Sequence, residues 1–288
     1  RMGFWLKKKC GAKLICDQHE FYSNWIGRTA HMNTFPGRII GFLSRWESYE
    51  KKYLNRADLV VTVSENLRQL YIKMYNIRGD KVISVPNTPL KKQVEAPVVD
   101  LEIKRKYEDK FVLFYGGMID ILRGIDNIIK SLPIVRKEIP NVQVILAGRI
   151  RKGCDPMAVA RSAGVEDYVE YVGFLNPHEL RAYMGISSIC FATSPAESIE
   201  VNNAISTKIY QYVSARKPIL VGRATMMKEL VTMYNLGMAT DERDPEKIAG
   251  TIIQMSHMLS TFTFDLPESI MYWEFTSGIL VEKFNDLY

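Results

Sequence analysis

The chain has 288 residues, of which 47% are hydrophobic and 24% charged; this is typical of a soluble globular protein with room for two domains. No apolar run is as long as a membrane span, and the charged start RMGFWLKKKC does not resemble a signal peptide. Residues 1–86 carry 15 basic and 7 acidic side chains, a net charge of +8, while the rest carries 23 and 25, a net charge of −2. The basic first part predicts an anionic partner such as a membrane surface or a phosphorylated ligand. No recognition motif for nucleic acid is present.

The first part of the chain alternates between helical and extended patterns. The predicted elements are a helix end (Arg1–Cys10), a strand (Ala12–Asp17), a long amphipathic helix (Thr34–Arg56), a strand (Asp58–Ser64), a helix (Glu65–Tyr75) and a strand (Lys81–Asn87). Ser64 is the expected N-cap of the helix that follows it. Residues 88–100 are Pro-containing, charged and aperiodic, which predicts a linker.

The same alternation continues after the linker. The predicted strands are Lys110–Gly117, Val142–Gly148, Val169–Phe174, Ser188–Ser194 and Lys217–Gly222. The predicted helices are Ile125–Pro140, Pro156–Gly164, Pro177–Ser187, a helix starting near Ser206, Thr225–Asn235, Asp244–Leu259 and a helical tail, Glu268–Tyr288. Regular alternation predicts an α/β fold with parallel sheets, in which ligands bind at the carboxyl ends of the strands.

Three polar or glycine-rich segments follow predicted strands. FYGGMIDILRG places Gly116 and Gly117 at a strand end and Arg123 before the next helix, where backbone N–H groups and a guanidinium can meet phosphate oxygens. CDQHEFY places Asp17, His19 and Glu20 after the first strand. By spacing alone, FYGGMIDILRG is equally compatible with a ligand-binding turn and with a tight turn that carries a surface arginine. A lone histidine in a loop is more often structural or solvent-exposed, but three titratable groups at a strand end favour a functional role for CDQHEFY.

The third segment is NNAISTKIYQYV, which begins a helix. The hydroxyls of Ser206 and Thr207, the charge of Lys208 and the N–H groups of the helix start could hold a phosphate, with Gln211 one turn further. From spacing alone, an ordinary capped helix with a solvated lysine and glutamine is the favoured interpretation. The four cysteines and four histidines show no metal-ligand spacing, so we expect free thiols and no protein-built metal site.

Taken in order, these segments resemble the family 4 glycosyltransferases of GT-B fold, in particular a bacterial branch with an Asp-x-His-Glu element. The matching pieces are LICDQHEFY, ADLVVTVSENLRQLY, KVISVPN, VLFYGGMIDILRGIDNIIKSL, VILAG, YVEYVGFLNPHELRAYM, TKIYQYVSARKPILV, DPEKIAGTI and the terminal YWE…LVEKFNDLY. The resemblance covers nearly the whole chain, and its specificity lies in the series rather than in any single motif.

The resemblance implies two Rossmann-like domains facing each other across a cleft. Residues 1–87 would be the last part of the acceptor domain, 88–265 the domain that binds a nucleotide sugar, and 266–288 a helix crossing back to the first domain. The early strands of the acceptor domain are missing from the match, and the chain begins at Arg1, so we expect an N-terminally truncated protein.

The resemblance also implies roles for individual residues. The donor phosphates would be bound by Gly116, Gly117, Arg123, Ser206, Thr207 and Lys208, the base by Phe174 and Leu175, and the ribose by Gln211. His19 would lie near the reacting sugar and position the sugar or the acceptor. No metal or cofactor is expected.

Two departures from the family pattern bear on activity. The paired glutamates of the family fall at Asn203 and Gln211, and a glutamine amide lacks the charge assistance of a carboxylate. The second basic residue that usually follows the glycine turn is replaced, because Met118 and Ile119 stand there.

The function implied is retaining transfer of a sugar from a nucleotide diphosphate sugar to a polysaccharide or lipid-linked acceptor. Such an enzyme would be cytoplasmic and could contact the anionic inner face of the membrane. Two alternatives remain: a non-catalytic nucleotide-sugar-binding or scaffold protein of the same fold, favoured by the substitutions at 118 and 211, and a nucleotide-sugar epimerase. The epimerase needs carboxylates and histidines in the cleft, and the sequence does not supply them.

Overall fold

The computed structural model describes residues 2–19, 21, 23, 43–94, 98–197 and 199–287. It divides into two compact units, the first formed by Arg1–Asn87 with Tyr272–Tyr288 and the second by Thr88–Met271. None of the described helices is both long and apolar enough to cross a membrane.

The elements of the two units follow one another along the chain. Up to residue 87 they are α1 (Met2–Cys10), β1 (Ile15–Gln18), α2 (Leu43–Leu54), β2 (Leu59–Thr62), α3 (Glu65–Tyr75) and β3 (Val82–Ser84). The second unit contains α4 (Lys91–Val94), α5 (Leu101–Lys106), β4 (Phe111–Gly116), α6 (Ile125–Glu138), β5 (Val142–Ala147), α7 (Pro156–Ser162), β6 (Val169–Gly173), α8 (Pro177–Ile186), β7 (Ile189–Ala192), α9 (Ile199–Asn203), α10 (Thr207–Ser214), β8 (Ile219–Val221), α11 (Thr225–Met233), β9 (Gly237–Ala239), α12 (Pro245–Ser256) and α13 (Glu268–Met271). The chain ends in α14 (Trp273–Thr276) and α15 (Gly278–Leu287). Short 3-10 turns lie at Gly79–Lys81, Ile121–Arg123, Glu166–Tyr168 and Leu259–Thr261.

The first unit contains a three-stranded parallel sheet in the order β1-β2-β3. Ser64 caps α3 as predicted, because its hydroxyl accepts a hydrogen bond from the Leu67 N–H at 3.1 Å. The apolar residues of β2 and β3 form a small core against which side chains of the terminal helices pack. This core contains Leu59, Val61, Ile83 and Val85, with Trp273, Leu280 and Leu287 packed against it.

The second unit contains a six-stranded sheet in the order β6-β5-β4-β7-β8-β9, and all its strand pairs are parallel. Strand β4 pairs with β5 on one side and with β7 on the other. After β6 the chain returns to place β7 on the other side of β4, so the strand order reverses between β4 and β7. The carboxyl ends of these two strands mark the topological switch point, where such sheets bind ligands. The predicted α/β class with parallel sheets is confirmed.

Helices cover the central strands of this sheet. Every residue of β5 is buried, and in β4 only Phe111 is partly exposed, which explains why both strands read as continuous apolar runs rather than alternating ones. On one face, α6 and α12 bury Ile128, Leu132, Ile248 and Ile252 in the main core.

The structure corrects several predicted elements. The tail Glu268–Tyr288 is not one helix, because Tyr272 has extended backbone angles (φ −123°, ψ 144°) and separates α13 from α14. Strand β9 was not predicted, since three residues are too few to show a period. The linker 88–100 contains the short helix α4. Of the predicted helix Thr34–Arg56, residues 34–42 lie outside the described residues, and the rest contains α2.

Candidate functional site

Two strand ends of the second unit approach each other so closely that only glycine fits. The Gly117 N–H donates to the Ala147 carbonyl at 2.8 Å, and a Cβ on Gly148 would lie 1.8 Å from the Gly117 carbonyl oxygen. A Cβ on Gly117 would lie 2.4 Å from Lys208 Cε. The glycines at the ends of β4 and β5 thus allow backbone and the Lys208 side chain to meet at the switch point.

A cavity of about 400 Å³ opens at this place. Seven of the predicted site residues line it: Gly116, Gly117, Phe174, Leu175, Thr207, Lys208 and Gln211. Its other lining residues are Met118, Ala147, Gly148, Arg149 and Leu180. Two residues predicted to bind phosphate, Arg123 and Ser206, do not line the cavity, and His19 belongs to the first unit.

Lys208 is the half-buried cation of this cavity. Its ammonium lies 5.4 Å above the Tyr115 ring, and no hydrogen bond or ion pair joins it to another residue in the described part of the chain. Burial, with a smaller contribution from the positive charge of Arg123, lowers the pKa of Lys208 to about 8. Burial removes water from the Lys208 ammonium, and no carboxylate of the described residues compensates for that loss. The site therefore favours the binding of an anion from outside the protein.

Arg123 lies just outside the cavity, at the end of the 3-10 turn that precedes α6. Asp120 begins this turn and accepts a hydrogen bond from the Leu122 N–H at 3.2 Å. Burial would raise the pKa of Asp120, but hydrogen bonds from Arg151, at 2.5 Å, and Leu122 outweigh it and hold the pKa below its usual range. Arg151 thus pairs with the nearby carboxylate, and the Arg123 guanidinium forms no ion pair with any described residue.

Helix α10 begins immediately after Ser206, which has extended backbone angles (φ −64°, ψ 134°) and whose side chain does not cap the helix. The expectation of an ordinary side-chain cap is therefore wrong. The first-turn N–H groups at Thr207 and Lys208 are consequently available to a ligand at the positive end of the helix.

The rim of the cavity pairs Phe174, which was predicted to bind the base, with Arg149, which was not predicted. Phe174 is 69% exposed, and the Arg149 guanidinium lies 5.1 Å from its ring centroid. Arg149 reaches this position because its carbonyl accepts the Ile119 N–H at 2.9 Å, beside Met118. The only sequence signal was a basic residue directly after the strand VILAG. Arg149 thus places a positive charge near Met118, the position at which the family pattern has a basic residue and this sequence does not.

The two residues at the positions of the family's paired glutamates lie in different surroundings. Gln211 lines the cavity from the first turns of α10 and also borders a second cavity of about 1090 Å³ in the same unit. Asn203 does not line the smaller cavity, and its amide donates to the Ile199 carbonyl at 2.8 Å. Ile119 is buried, so it cannot replace a ligand-facing cation.

His19 follows β1 in the first unit. Its Nε2 lies 3.1 Å from Asp17 Oδ2, and its Nδ1 lies 3.1 Å from Asn87 Nδ2. An amide nitrogen can only donate, so Nδ1 accepts and Nε2 carries the proton toward the carboxylate. Glu20, the third residue of the predicted cluster, lies outside the described residues. No group of three or more metal-ligating side chains was found among the described residues.

Comparisons with known proteins agree with this architecture. The family model described as "Glycosyl transferases group 1" matches residues 100–259, which is more than half of the chain. No curated protein matches the chain in sequence.

Solved structures resemble it in fold. Sucrose-phosphate synthase from Thermosynechococcus elongatus is 14% identical with a TM-score of 0.76, and the match covers 99% of this chain and 70% of that one. HepE from Anabaena, in complex with UDP and glucose, is 16% identical with a TM-score of 0.76, and the match covers 99% of this chain and 74% of that one. WaaG, a glycosyltransferase involved in lipopolysaccharide biosynthesis, is 12% identical with a TM-score of 0.66, covering 96% and 74%. The chain belongs to the group 1 glycosyl transferases and has the GT-B glycosyltransferase fold.

Proposed function

We propose that this protein is a retaining glycosyltransferase that takes a sugar from a nucleotide diphosphate sugar. The observation that carries the proposal is the pair of cations at the switch point of the second sheet. Lys208 lies in the cavity and Arg123 beside it, and neither pairs with a carboxylate of the described residues. The solved complexes of HepE with UDP and with UDP-glucose support the choice of a nucleotide sugar.

The cavity offers one group for each part of such a donor. The diphosphate lies against Gly116 and Gly117, near Lys208 and Arg123 and at the first N–H groups of α10, with Ser206 and Thr207 at the helix start. The ribose lies at Gln211, whose amide both donates and accepts. The base lies at Phe174 and Leu175, beside Arg149. Thr88 onward would therefore be the donor domain, through about residue 265, and residues 1–87 part of the acceptor domain, to which 266–288 returns.

In the proposed reaction, the bond between the anomeric carbon and the diphosphate oxygen breaks while the acceptor oxygen bonds to that carbon from the same face. The acceptor proton passes to the leaving diphosphate. Fixed positive charges where negative charge develops stabilise such a transition state. Lys208, Arg123 and backbone N–H groups supply them, so we propose no resident metal or cofactor. His19, oriented by Asp17 and Asn87, positions the sugar or the acceptor.

For the acceptor we propose a polysaccharide or a lipid-linked glycan at the inner membrane face. Helix α1 exposes Met2, Trp5 and Leu6, at 76%, 58% and 42%, and Lys8 and Lys9 are exposed beside them. Apolar and basic side chains together suit an anionic lipid surface. Co-sedimentation with phosphatidylglycerol vesicles, but not with phosphatidylcholine vesicles, is expected. It should be lost in Trp5→Ala with Lys8→Glu, and equal binding to both vesicles, or to neither, would contradict the contact.

A second candidate is a protein that binds nucleotide sugars without transferring them. Met118 and Gln211 favour it, because each replaces a charged residue of the family pattern with a neutral one. It predicts that the donor is bound but never consumed.

Calorimetry with UDP, GDP and ADP, followed by donor-consumption assays with lipid acceptors, separates these proposals. Binding with consumption supports the transferase, and binding without consumption of any nucleotide sugar supports the second candidate. Failure to bind any nucleoside diphosphate would contradict both.

A further inference from the structure

A fully buried carboxylate lies in the second unit outside the cavity described above. Glu242 follows β9, in the turn before α12, and its exposed fraction is 0%. A charged side chain is costly to bury unless hydrogen bonds satisfy it. The hydrogen-bond partners of Glu242 therefore indicate the role of this buried negative charge.

The carboxylate binds two separate segments. One oxygen accepts the Ala196 N–H at 3.1 Å, and the other accepts the Arg223 N–H at 2.8 Å. The Arg223 guanidinium also donates to the carboxylate, at 3.2 and 3.4 Å. Burial would raise the pKa of Glu242, but these hydrogen bonds lower it below its usual range, so the group is ionised at neutral pH.

Ala196 belongs to the segment that leads from β7 to the start of α10. The same residue is also bound through its carbonyl, which accepts a hydrogen bond from the Asn202 amide. Asn202 in turn accepts the Thr225 N–H of α11 at 3.2 Å. Hydrogen bonds at Ala196 and at Asn202 thus fix the segment that precedes Thr207 and Lys208.

The backbone of Glu242 binds the start of α6, the helix that follows Arg123. Its carbonyl accepts the Asn127 amide at 2.9 Å, in the first turn of α6, directly after Arg123 and Gly124. A Cβ on Gly124 would lie 2.2 Å from the Thr193 carbonyl oxygen, and the Thr193 hydroxyl donates to the Arg123 carbonyl at 3.3 Å. Glu242 therefore contacts α6, which directly follows Arg123, and the loop after β7, which leads through α9 to the helix that carries Lys208.

We propose that Glu242 is a positioning residue, which fixes the segments bearing Arg123 and Lys208 so that both cations meet one diphosphate. This inference rests on the proposed nucleotide-sugar binding. Misplacing reacting groups by about 1 Å can lower a reaction rate on the order of a hundredfold, and we expect a smaller loss in binding when two cations no longer meet the same diphosphate. A role in folding alone would leave diphosphate affinity unchanged in the folded protein.

The test is Glu242→Gln, which keeps the side-chain shape but removes the charge that Arg223 and the Ala196 N–H bind. We expect affinity for UDP, or whichever nucleoside diphosphate the wild type binds, to fall by about tenfold. Affinity for the parent nucleoside should stay within about twofold, and the Ala196 amide should exchange hydrogen faster. All measurements are made at a temperature where each variant is folded.

Glu170→Gln is the matched control. Glu170 accepts hydrogen bonds from Lys106 and Tyr107, at 2.5 and 2.9 Å, away from both cationic segments, and its loss should leave diphosphate affinity unchanged. Unchanged affinity in folded Glu242→Gln would overturn the inference, as would an equal loss for nucleoside and diphosphate. If Glu242→Gln does not fold, Asn127→Ala removes only the bond to the Glu242 carbonyl. It should weaken diphosphate binding by about threefold, and unchanged affinity there would also overturn the inference. If the wild type binds no diphosphate, the proposed function itself fails.

Discussion

Two cationic regions lie at the carboxyl edge of the same six-stranded sheet, and they differ in what neutralises them. Near β8 and β9, Arg223 donates to the buried Glu242 and pairs with Asp241 at 3.1 Å. Near β4, Lys208 and Arg123 have no carboxylate partner among the described residues. In the first region, the positive charge of Arg223 is compensated by carboxylates of the protein itself. The second carries uncompensated positive charge at the switch point, which is the property of an anion-binding site.

The largest expected effect is that of Lys208→Met, which removes the cation inside the cavity. Diphosphate affinity should fall by about 30-fold to 100-fold, since a hydrogen bond to a charged group contributes about 2 to 3 kcal/mol. The ligand-free protein should become more stable by about 1 to 3 kcal/mol at pH 7, because the buried charge no longer has to be desolvated. Calorimetry and thermal unfolding measure the two effects.

Lys217→Met is the control for that variant. Burial also lowers the pKa of Lys217, but this lysine does not line the smaller cavity. The change should leave diphosphate affinity unaltered. Equal loss in both variants would mean that Lys208 acts through general charge rather than through contact.

The second prediction concerns Arg123→Ala. Diphosphate affinity should fall by about tenfold while affinity for the nucleoside is retained, because the guanidinium meets only phosphate oxygens. Isothermal titration with both ligands measures this difference. The control is Arg161→Ala, an exposed arginine whose ion pairs lie on the surface of α7. Parallel losses for nucleoside and diphosphate would contradict the assignment of Arg123.

The third prediction follows from the lowered pKa of Lys208, about 8 in the folded, ligand-free protein. As the pH rises through that value the ammonium loses its proton, so diphosphate affinity should fall between pH 7 and pH 9 by up to about tenfold. The stability of the ligand-free protein changes with pH in the opposite direction to the diphosphate affinity. Between about pH 8 and the pKa of an unfolded lysine, the unfolded chain binds more protons, so ligand-free stability rises with pH. Titrations at several pH values should show the affinity loss in the wild type and not in Lys208→Met.

The smallest effect is expected for Gln211→Glu. A carboxylate accepts hydrogen bonds from ribose hydroxyls more strongly than an amide does, by about 1 kcal/mol, so affinity should improve by about fivefold. A 2′-deoxynucleoside diphosphate is the matched control ligand, and the improvement should shrink with it. No change with either ligand would mean that Gln211 does not face the ribose.

The α/β class and most of the residues that line the cavity could be predicted from the sequence. Apolar runs ending in Gly116 and Gly117 indicate a strand that meets a ligand-binding turn, and Lys208 stands at the start of a strongly amphipathic helix. Such signals are local, so a single chain segment carries them. The family resemblance added the series of segments in which these signals belong.

Other features depend on contacts that no local pattern records. Glu242 in TDERDPE looks like one acid of a solvated loop, yet it binds Ala196 across 46 positions and Asn127 across 115. The contact between Arg149 and Phe174 likewise joins the ends of two strands that neighbour each other only in the folded sheet. Ser206 does not cap α10 through its side chain, although the residue type alone suggests that it would.

We propose above all that the unpaired cations near β4, Lys208 and Arg123, bind a diphosphate. Calorimetric titration of wild type, Lys208→Met and Lys217→Met with UDP, GDP and ADP tests it most directly. We expect at least one of these nucleotides to bind the wild type and Lys217→Met, with affinity lower by about 30-fold or more in Lys208→Met. Absence of binding to the wild type, or equal affinity in wild type and Lys208→Met, would contradict it.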